Sequence, residues 1–520
     1  FLLVCGGARG VVTSSCVGRF LWLALFSLVV VYMVDSFTLL ALNEHAPLFD
    51  MARYALEPGV LLSFLDKSVT IAFGLLVISA FFNVPFHGLT RDASALMLLV
   101  VMTSAAYSAS NVHITLARYT MLSPQGLLEL FKSGQPVLAY SDAQVNFYSS
   151  QAKQETFVPV SKPDIILLVV ESLSSINSKR VSGIDGFLNG FDELSSKGLL
   201  FQNFFANHQA SEGGLISLLS GYPPIHYPTA SPYMFDEFSI QHAVITEYQE
   251  AGYVVDFLTN AQLDFIGLNH YLDGIGVDRS RGRDEAQSMK DAPVIVQGAP
   301  SDELLYEEAI RTVGQYSQGQ TPFLLCIATT STHLPYKHPG GGPDTAEAVW
   351  AWSIQQLKAF YRRLSERGYF DHGILLITGD HRQMRPLTEA ETRRYGDSAR
   401  ARVPLLVIGR NYEAGQLDER FYQQSDLLRM LGKISRADEP LSPHPVWVER
   451  YNRKYGRIEL IDSLSVFDEA GAGYHEYRLK IPGNRIEWAG EKPGFARSIE
   501  TRIHAQRSLH QQTRTNSKEP

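Results

Sequence analysis

Four places in the 520-residue chain set reactive side chains at or beside the ends of apolar runs. Residues 374–378 read as a buried strand, too short for a helix of its own, and Gly379 closes it before Asp380 and His381. Residues 164–170 form a second such run, and Glu171 follows it directly. In open α/β sheets ligand chemistry collects at the carboxyl ends of strands, so these side chains are expected on the rim of one cleft. Ser211 lies in the stretch 206–214, between a strand and an apolar helix, where simple helix capping is the plainer reading. A hydroxyl there would also face free backbone N–H groups and the positive end of the helix dipole, an arrangement that holds phosphate. His333 stands in the run 329–336, after the strand that contains Cys326. It is placed to contact a substrate oxygen or to protonate a leaving group.

Glu171, Ser211, Asp380 and His381 together offer two carboxylates, a hydroxyl and an imidazole to a divalent metal. That oxygen and nitrogen set suits Mn²⁺ or Zn²⁺ and depends too much on imidazole for a Ca²⁺ cage. A hydroxyl bound to such a metal becomes an accessible alkoxide near neutral pH. An open position facing a helix N-terminus describes a site for a tetrahedral oxyanion. The reaction that follows is attack by Ser211 on phosphorus (less readily sulfur), with the covalent intermediate passed on to an acceptor.

The elements that would position these groups alternate. Strands are expected at 164–170, 199–205, 254–258, 323–328, 373–378 and 403–408, and helices at 186–197, 214–219, 240–252, 346–367 and 425–431. Such alternation gives an α/β fold, a mostly parallel sheet sandwiched by helices. Beyond about residue 450 only short polar strands are read, with no chemistry on them. The net charge of -8 excludes a general nucleic-acid binder. Cys5, Cys16 and Cys326 draw no disulfide framework.

Residues 1–112 have a different character. The segment 17–42 is nearly all apolar, with Arg19 and Asp35 as its charges, and it matches the roughly 20 residues of a bilayer-spanning helix. The segments 61–82 and 94–109 are further candidates. Arg9 and Arg19 precede the first span, whereas Glu44, Asp50 and Glu57 outnumber Arg53 after it. By the positive-inside rule the N-terminus is cytoplasmic, and three spans deliver the remainder to the outer side. The expected organisation is therefore a transmembrane bundle (1–112), a juxtamembrane linker (113–161), a catalytic domain (162–450) and its small C-terminal strands (451–495). A basic, solvated, disordered tail (496–520) ends the chain.

The ordered set of motifs resembles the alkaline phosphatase/sulfatase superfamily, and within it the lipoteichoic-acid-synthase-like branch that includes phosphoglycerol transferases. The residues that carry the resemblance are Glu171-Ser172, Phe204-Phe205-Ala206-Asn207, Gly221-Tyr222-Pro223-Pro224, Thr332-His333-Leu334-Pro335-Tyr336 and Thr378-Gly379-Asp380-His381, extended by Val403-Pro404 and Ser425-Asp426. The likeness covers about residues 162–435. It implies an alkaline-phosphatase-like fold behind an N-terminal membrane bundle, with Glu171, Ser211, Asp380 and His381 on the metal. It implies Ser211 as nucleophile and His333 against the substrate phosphate. It implies manganese first and zinc second, and a lipid phosphate donor with a glycan acceptor at the outer face of the membrane. A phosphodiesterase or phosphatase acting at the same site is the alternative. Ser211 stands where the branch usually has Thr, and the Cys/Ser-x-Pro-x-Arg signature of true sulfatases is absent around it. An Arg that binds the lipid phosphate in lipoteichoic-acid synthases falls near Leu268.

Overall fold

The computed structural model describes residues 156–224, 234–235, 238, 243–319, 321–434, 446–450, 462–470, 473–481 and 485–516, with positions 141, 143, 144 and 147. All of them belong to one compact unit, 134–451 with 461–520. The expected membrane bundle lies outside the described residues, among which no helix is long and apolar enough to cross a membrane.

The strands of the main body are β1 (Asp164–Val170), β2 (Leu199–Phe201), β3 (Phe204–Phe205), β4 (Val254–Thr259), β5 (Arg279–Arg281), β6 (Phe323–Ala328), β7 (Gly373–Gly379), β8 (Leu405–Gly409), β9 (Leu417–Asp418) and β10 (Tyr422–Gln423). Eight of them make one sheet in the order β5-β4-β6-β1-β7-β8-β2-β9. Its pairings are parallel except where β8 meets β7 and β2, so β8 alone is reversed in this sheet. Both faces are covered, which is why the central strands are continuous apolar runs rather than alternating ones. On β1, Ile165, Leu167 and Val169 enter one core and Ile166, Leu168 and Val170 the other.

Helices supply the two covers. They are α1 (Asn189–Ser195), α2 (Ser211–Ser220), α3 (Val244–Glu250), α4 (Leu268–Gly274), α5 (Asp302–Gly319) and α6 (Ala346–Glu366). Leu215, Ile245 and Tyr271 carry α2, α3 and α4 onto the first face, and Phe191, Leu305 and Trp350 carry α1, α5 and α6 onto the second. Leu167 is fully buried, so Leu167→Ala would cost about 2–5 kcal/mol through lost transfer energy and the cavity left behind.

Several expectations need correction. The run 199–205 is not one strand. It breaks at Gln202 and Asn203, whose side-chain amides donate to Arg180 O (2.9 Å) and Glu419 O (2.6 Å), and β3 then pairs with β10 in a separate ladder. The 113–161 linker does not extend to 161 as a free segment. Phe157 N–H donates to Arg429 O and Gly432 N–H to Phe157 O, both at 2.6 Å, so the body begins earlier.

The C-terminal stretch is a helix rather than a disordered tail, α9 (Ala496–Asn516), preceded by α7 (Glu389–Tyr395) and α8 (Gln424–Leu427). Ile499 and Ile503, one turn apart, are buried with Val466, Leu479 and Ile481. These last three belong to the antiparallel strands β12 (Asp462–Ala470) and β13 (Gly473–Ile481), which pair with β11 (Val446–Arg450) and β14 (Glu487–Trp488). A narrow i, i+4 apolar stripe suffices to dock a helix whose composition otherwise reads as solvated. Gln506 Nε2 then donates to Pro223 O at 2.5 Å, tying this helix to the body.

Candidate active site

The parallel register brings the chemistry together. Val170 pairs with Gly379 across β1 and β7, and Val169 with Ala328 across β1 and β6, so Glu171, Asp380 and Thr329 emerge side by side. Glu171 N–H donates to Thr329 Oγ1 (3.1 Å), and Thr332 Oγ1 donates to Glu171 O (2.6 Å). Ser172 then turns into the left-handed region at φ 58°, a sparsely populated conformation for a residue with a Cβ. From there its N–H donates to Asp380 Oδ1 (2.7 Å) and its hydroxyl to Glu171 Oε1 (2.7 Å). Gly379 is required here, since a Cβ on it would lie 2.3 Å from Leu173 O.

Ser211 arrives from the other side. Capping was the plainer expectation, but the N-cap of α2 is Ala210, in an extended conformation, and Ser211 is the first helical residue. Its hydroxyl is thereby released from the helix end. It donates to Glu171 Oε2 at 3.1 Å and lies 3.2 Å from His381 Nε2. The start of α2 is pressed against the end of β7, because a Cβ on Gly214 would meet Asp380 O at 2.2 Å. Gln424 locks the same turn from α8, donating to Gly379 O (2.8 Å) and Asp380 O (2.7 Å).

His381 Nδ1 lies 2.7 Å from Arg382 O, a carbonyl that can only accept, so the proton sits on Nδ1. Nε2 then faces Ser211 Oγ, with Asp380 Oδ2 at 3.5 Å and Glu171 Oε1 at 3.6 Å. A backbone carbonyl thus orients the ring and turns Nε2 toward the cluster, as in metal-binding histidines. One ligand atom from each of Glu171, Asp380 and His381 lies within 4.8 Å of the others, and all three side chains are buried. Burial, and next the negative charge of Glu171, push the Asp380 carboxyl up to about 7. Two buried carboxylates facing each other carry an electrostatic cost that a cation between them would relieve. The donor set therefore fits a divalent metal, with Ser211 Oγ as a fourth ligand atom.

His333 stands beside this cluster, near enough that the charges of His381 and Asp380 act on it. Burial is the largest influence and holds its pKa down at about 4, so the ring is neutral at neutral pH. Its Nδ1 is in contact with Leu334 O, which again places the proton on Nδ1 and the lone pair on Nε2. A neutral ring with that tautomer suits proton acceptance better than the leaving-group protonation considered from sequence.

The sequence reading passed over the residues that hold these groups. Thr329 and Thr332 fix the backbone of Glu171, and Gln424 fixes that of Asp380. Asp302 and Gln297 support the His333 loop. Thr332 and Gln424 lie in or beside motifs quoted from the sequence without a role for them, and Ser301-Asp302-Glu303 is a helix-start pattern.

A family model described as Sulfatase matches residues 163–349, a span that holds Glu171, Ser211 and His333. Over 279 residues the chain is 24% identical to Lipoteichoic acid synthase 1 of Bacillus subtilis (strain 168), covering 49% of this chain and 43% of that protein. The chain thus matches less than half the length of this curated relative. Among solved structures, a protein in the alkaline phosphatase superfamily from Vibrio parahaemolyticus superposes with a TM-score of 0.52 at 17% identity, over 73% of this chain and 97% of that one. The lipoteichoic acid synthase LtaP from Listeria monocytogenes gives a TM-score of 0.50 at 15% identity, over 73% and 99%. These two likenesses show the fold. Through the matched domain and the curated relative, the sequence is similar to enzymes of the alkaline phosphatase/sulfatase superfamily, lipoteichoic acid synthase among them.

Proposed function

We propose that this chain is a membrane-anchored, metal-dependent phosphotransferase that moves a phosphoglycerol-type group from a lipid to a glycan acceptor outside the cytoplasm, through a covalent intermediate on Ser211. The observation that carries the reading is the position of Ser211 Oγ, 3.1 Å from Glu171 Oε2 and 3.2 Å from His381 Nε2 at the first residue of α2. The membrane bundle read in residues 1–112 supports a lipid donor, because it would keep the site near headgroups.

Glu171, Asp380, His381 and Ser211 would hold the cation, manganese as first candidate and zinc as second. Bound there, it would lower the pKa of the serine hydroxyl and neutralise charge on the phosphoryl oxygens. The N–H groups of the first turn of α2, which have no carbonyl partner within the helix, would face a phosphate bound there. In the first step Ser211 Oγ bonds to phosphorus, its proton passes to Glu171, and the bond from phosphorus to the lipid oxygen breaks. The lipid oxygen leaves as a hydroxyl, taking a proton from water at the rim. In the second step the acceptor hydroxyl attacks the phosphoserine, the bond from phosphorus to Ser211 Oγ breaks, and Ser211 regains its proton from Glu171. The acceptor's proton passes through His333 Nε2 to the hydroxide left at the rim.

The test is to purify the 520-residue chain in detergent, load it with Mn²⁺, and assay a chromogenic phosphodiester and a labelled phosphoglycerol lipid, with and without an oligosaccharide. Ser211→Ala should retain the metal and lose about 10³-fold or more in turnover. Equal turnover in parent and variant would refute the assignment of Ser211. Labelled oligosaccharide identifies a transferase. Water-derived product alone, with the oligosaccharide present, identifies the hydrolase instead.

A further inference from the structure

Val296 and Ala299 close a tight hairpin turn. Ala299 N–H donates to Val296 O and Ile295 N–H to Ala299 O, both at 2.8 Å. The two central residues, Gln297 and Gly298, have φ of 48° and 77°. A turn with both central residues left-handed selects Asn, Asp or Gly, so glutamine at the first central position is conformationally unfavourable. Strain of this kind persists where the surrounding structure gains from it.

The gain is visible at the end of the side chain. Gln297 Nε2 lies 2.9 Å from His333 Nδ1 and 3.0 Å from His333 Nε2. Near-equal distances to both nitrogens of one ring place the amide over the imidazole face, out of line with either in-plane lone pair. The amide therefore clamps the ring plane while Nδ1 is held by Leu334 O. The loop beneath is anchored by the same chain segment. Asp302 Oδ1 accepts from Thr330 N–H (3.1 Å), Ser331 N–H (3.0 Å) and Asn260 Nδ2 (3.0 Å), and Asp302 N–H donates to Ser331 Oγ (2.9 Å).

We propose that Gln297 is a positioning residue for His333, held in a strained turn so that its amide fixes the plane of the imidazole and thereby keeps Nδ1 on Leu334 O. The inference rests on the phosphotransferase reading above. It differs from a structural role in a definite way, because the substitution that relaxes the turn should harm the reaction.

The experiment compares Gln297→Gly, His333→Gln and the double variant in the Mn²⁺-loaded 520-residue chain, using the chromogenic phosphodiester. Gln297→Gly should leave the melting temperature unchanged or raised and the metal content unchanged, yet lower kcat/KM about 10-fold. In the His333→Gln background the same change should cost less than about 2-fold, since residues that act as a unit are non-additive. Equal losses in both backgrounds, or no loss in the parent, would overturn the proposal. A readout without turnover separates its failure from failure of the enzymatic reading. In ¹⁵N spectra of histidine-labelled protein, assigned by His333→Gln, the parent should show a single Nδ1–H form of His333 and Gln297→Gly an average of two tautomers. Identical spectra would overturn it even if the phosphodiester is never turned over.

Discussion

Two buried charged clusters meet at the peptide bond between His381 and Arg382, and they follow opposite electrostatic plans. On one side Arg382 donates from Nε to Glu391 Oε1 (2.9 Å) and from Nη2 to Glu391 Oε2 (2.8 Å), with Nη1 on the carbonyls of Gln383 (2.8 Å) and Arg385 (2.6 Å). Glu391 also completes a capping box with Thr388 at the start of α7. Charge and hydrogen-bonding capacity are matched there. On the other side Glu171 and Asp380 face each other beside the imidazole of His381, and burial and the charge of Glu171 push the Asp380 carboxyl up to about 7. Depth is the same and compensation is not. A charge-matched buried pair fixes a loop, whereas two facing carboxylates are a receptor for positive charge.

If that contrast is right, the two clusters should respond to neutralisation with opposite signs. Arg382→Met leaves Glu391 buried without its partner and should destabilise the metal-free protein by about 3–5 kcal/mol, read as a lower denaturant midpoint. A loss under about 1 kcal/mol would show that the pair is not what holds the loop. Asp380→Asn keeps an oxygen to accept from Ser172 and His381 N–H but removes one of two facing charges. At pH 8, without metal, it should stabilise by roughly 2 kcal/mol. The same variant should bind Mn²⁺ at least about 10-fold more weakly by calorimetry. Destabilisation of the metal-free protein by Asp380→Asn would erase the distinction between the clusters.

What the sequence shows of this arrangement follows from how locally each part is determined. β1, β6 and β7 were legible because strands buried on both faces leave continuous apolar runs. Glu171, Asp380 and His381 were legible because they directly follow two of those runs. The position of Ser211 inside rather than at the end of α2 was not, since it depends on the extended conformation of Ala210 one residue earlier. Helix α5 escaped notice because its apolar face is interrupted by charged residues, although its acidic start was written in the sequence. The reach of Gln297 to His333 joins residues 36 positions apart through a turn type that glutamine does not advertise. Helix α9 read as a tail because the apolar stripe through Ile499 and Ile503 is narrow and its surroundings are Arg- and Gln-rich.

The smallest of the expected effects is also the most specific to the uncompensated cluster, and it lies in the pH dependence. Burial and the charge of Glu171 raise the Asp380 pKa from 3.8 to about 7, so between those values the folded chain holds a proton that the unfolded chain has released. Stability from this group is complete below pH 4 and is lost as pH rises through about 7, with a slope of at most about 1.4 kcal/mol per pH unit. Melting curves of the metal-free parent, measured in chelator from pH 5 to pH 8, should therefore fall relative to those of Asp380→Asn as pH increases. Added Mn²⁺ should flatten the parent's curve, because a bound cation favours the ionised carboxylate that high pH produces. Parallel curves for parent and variant would mean that Asp380 titrates normally in the folded protein, and the case for a site built around a cation would lose its electrostatic support.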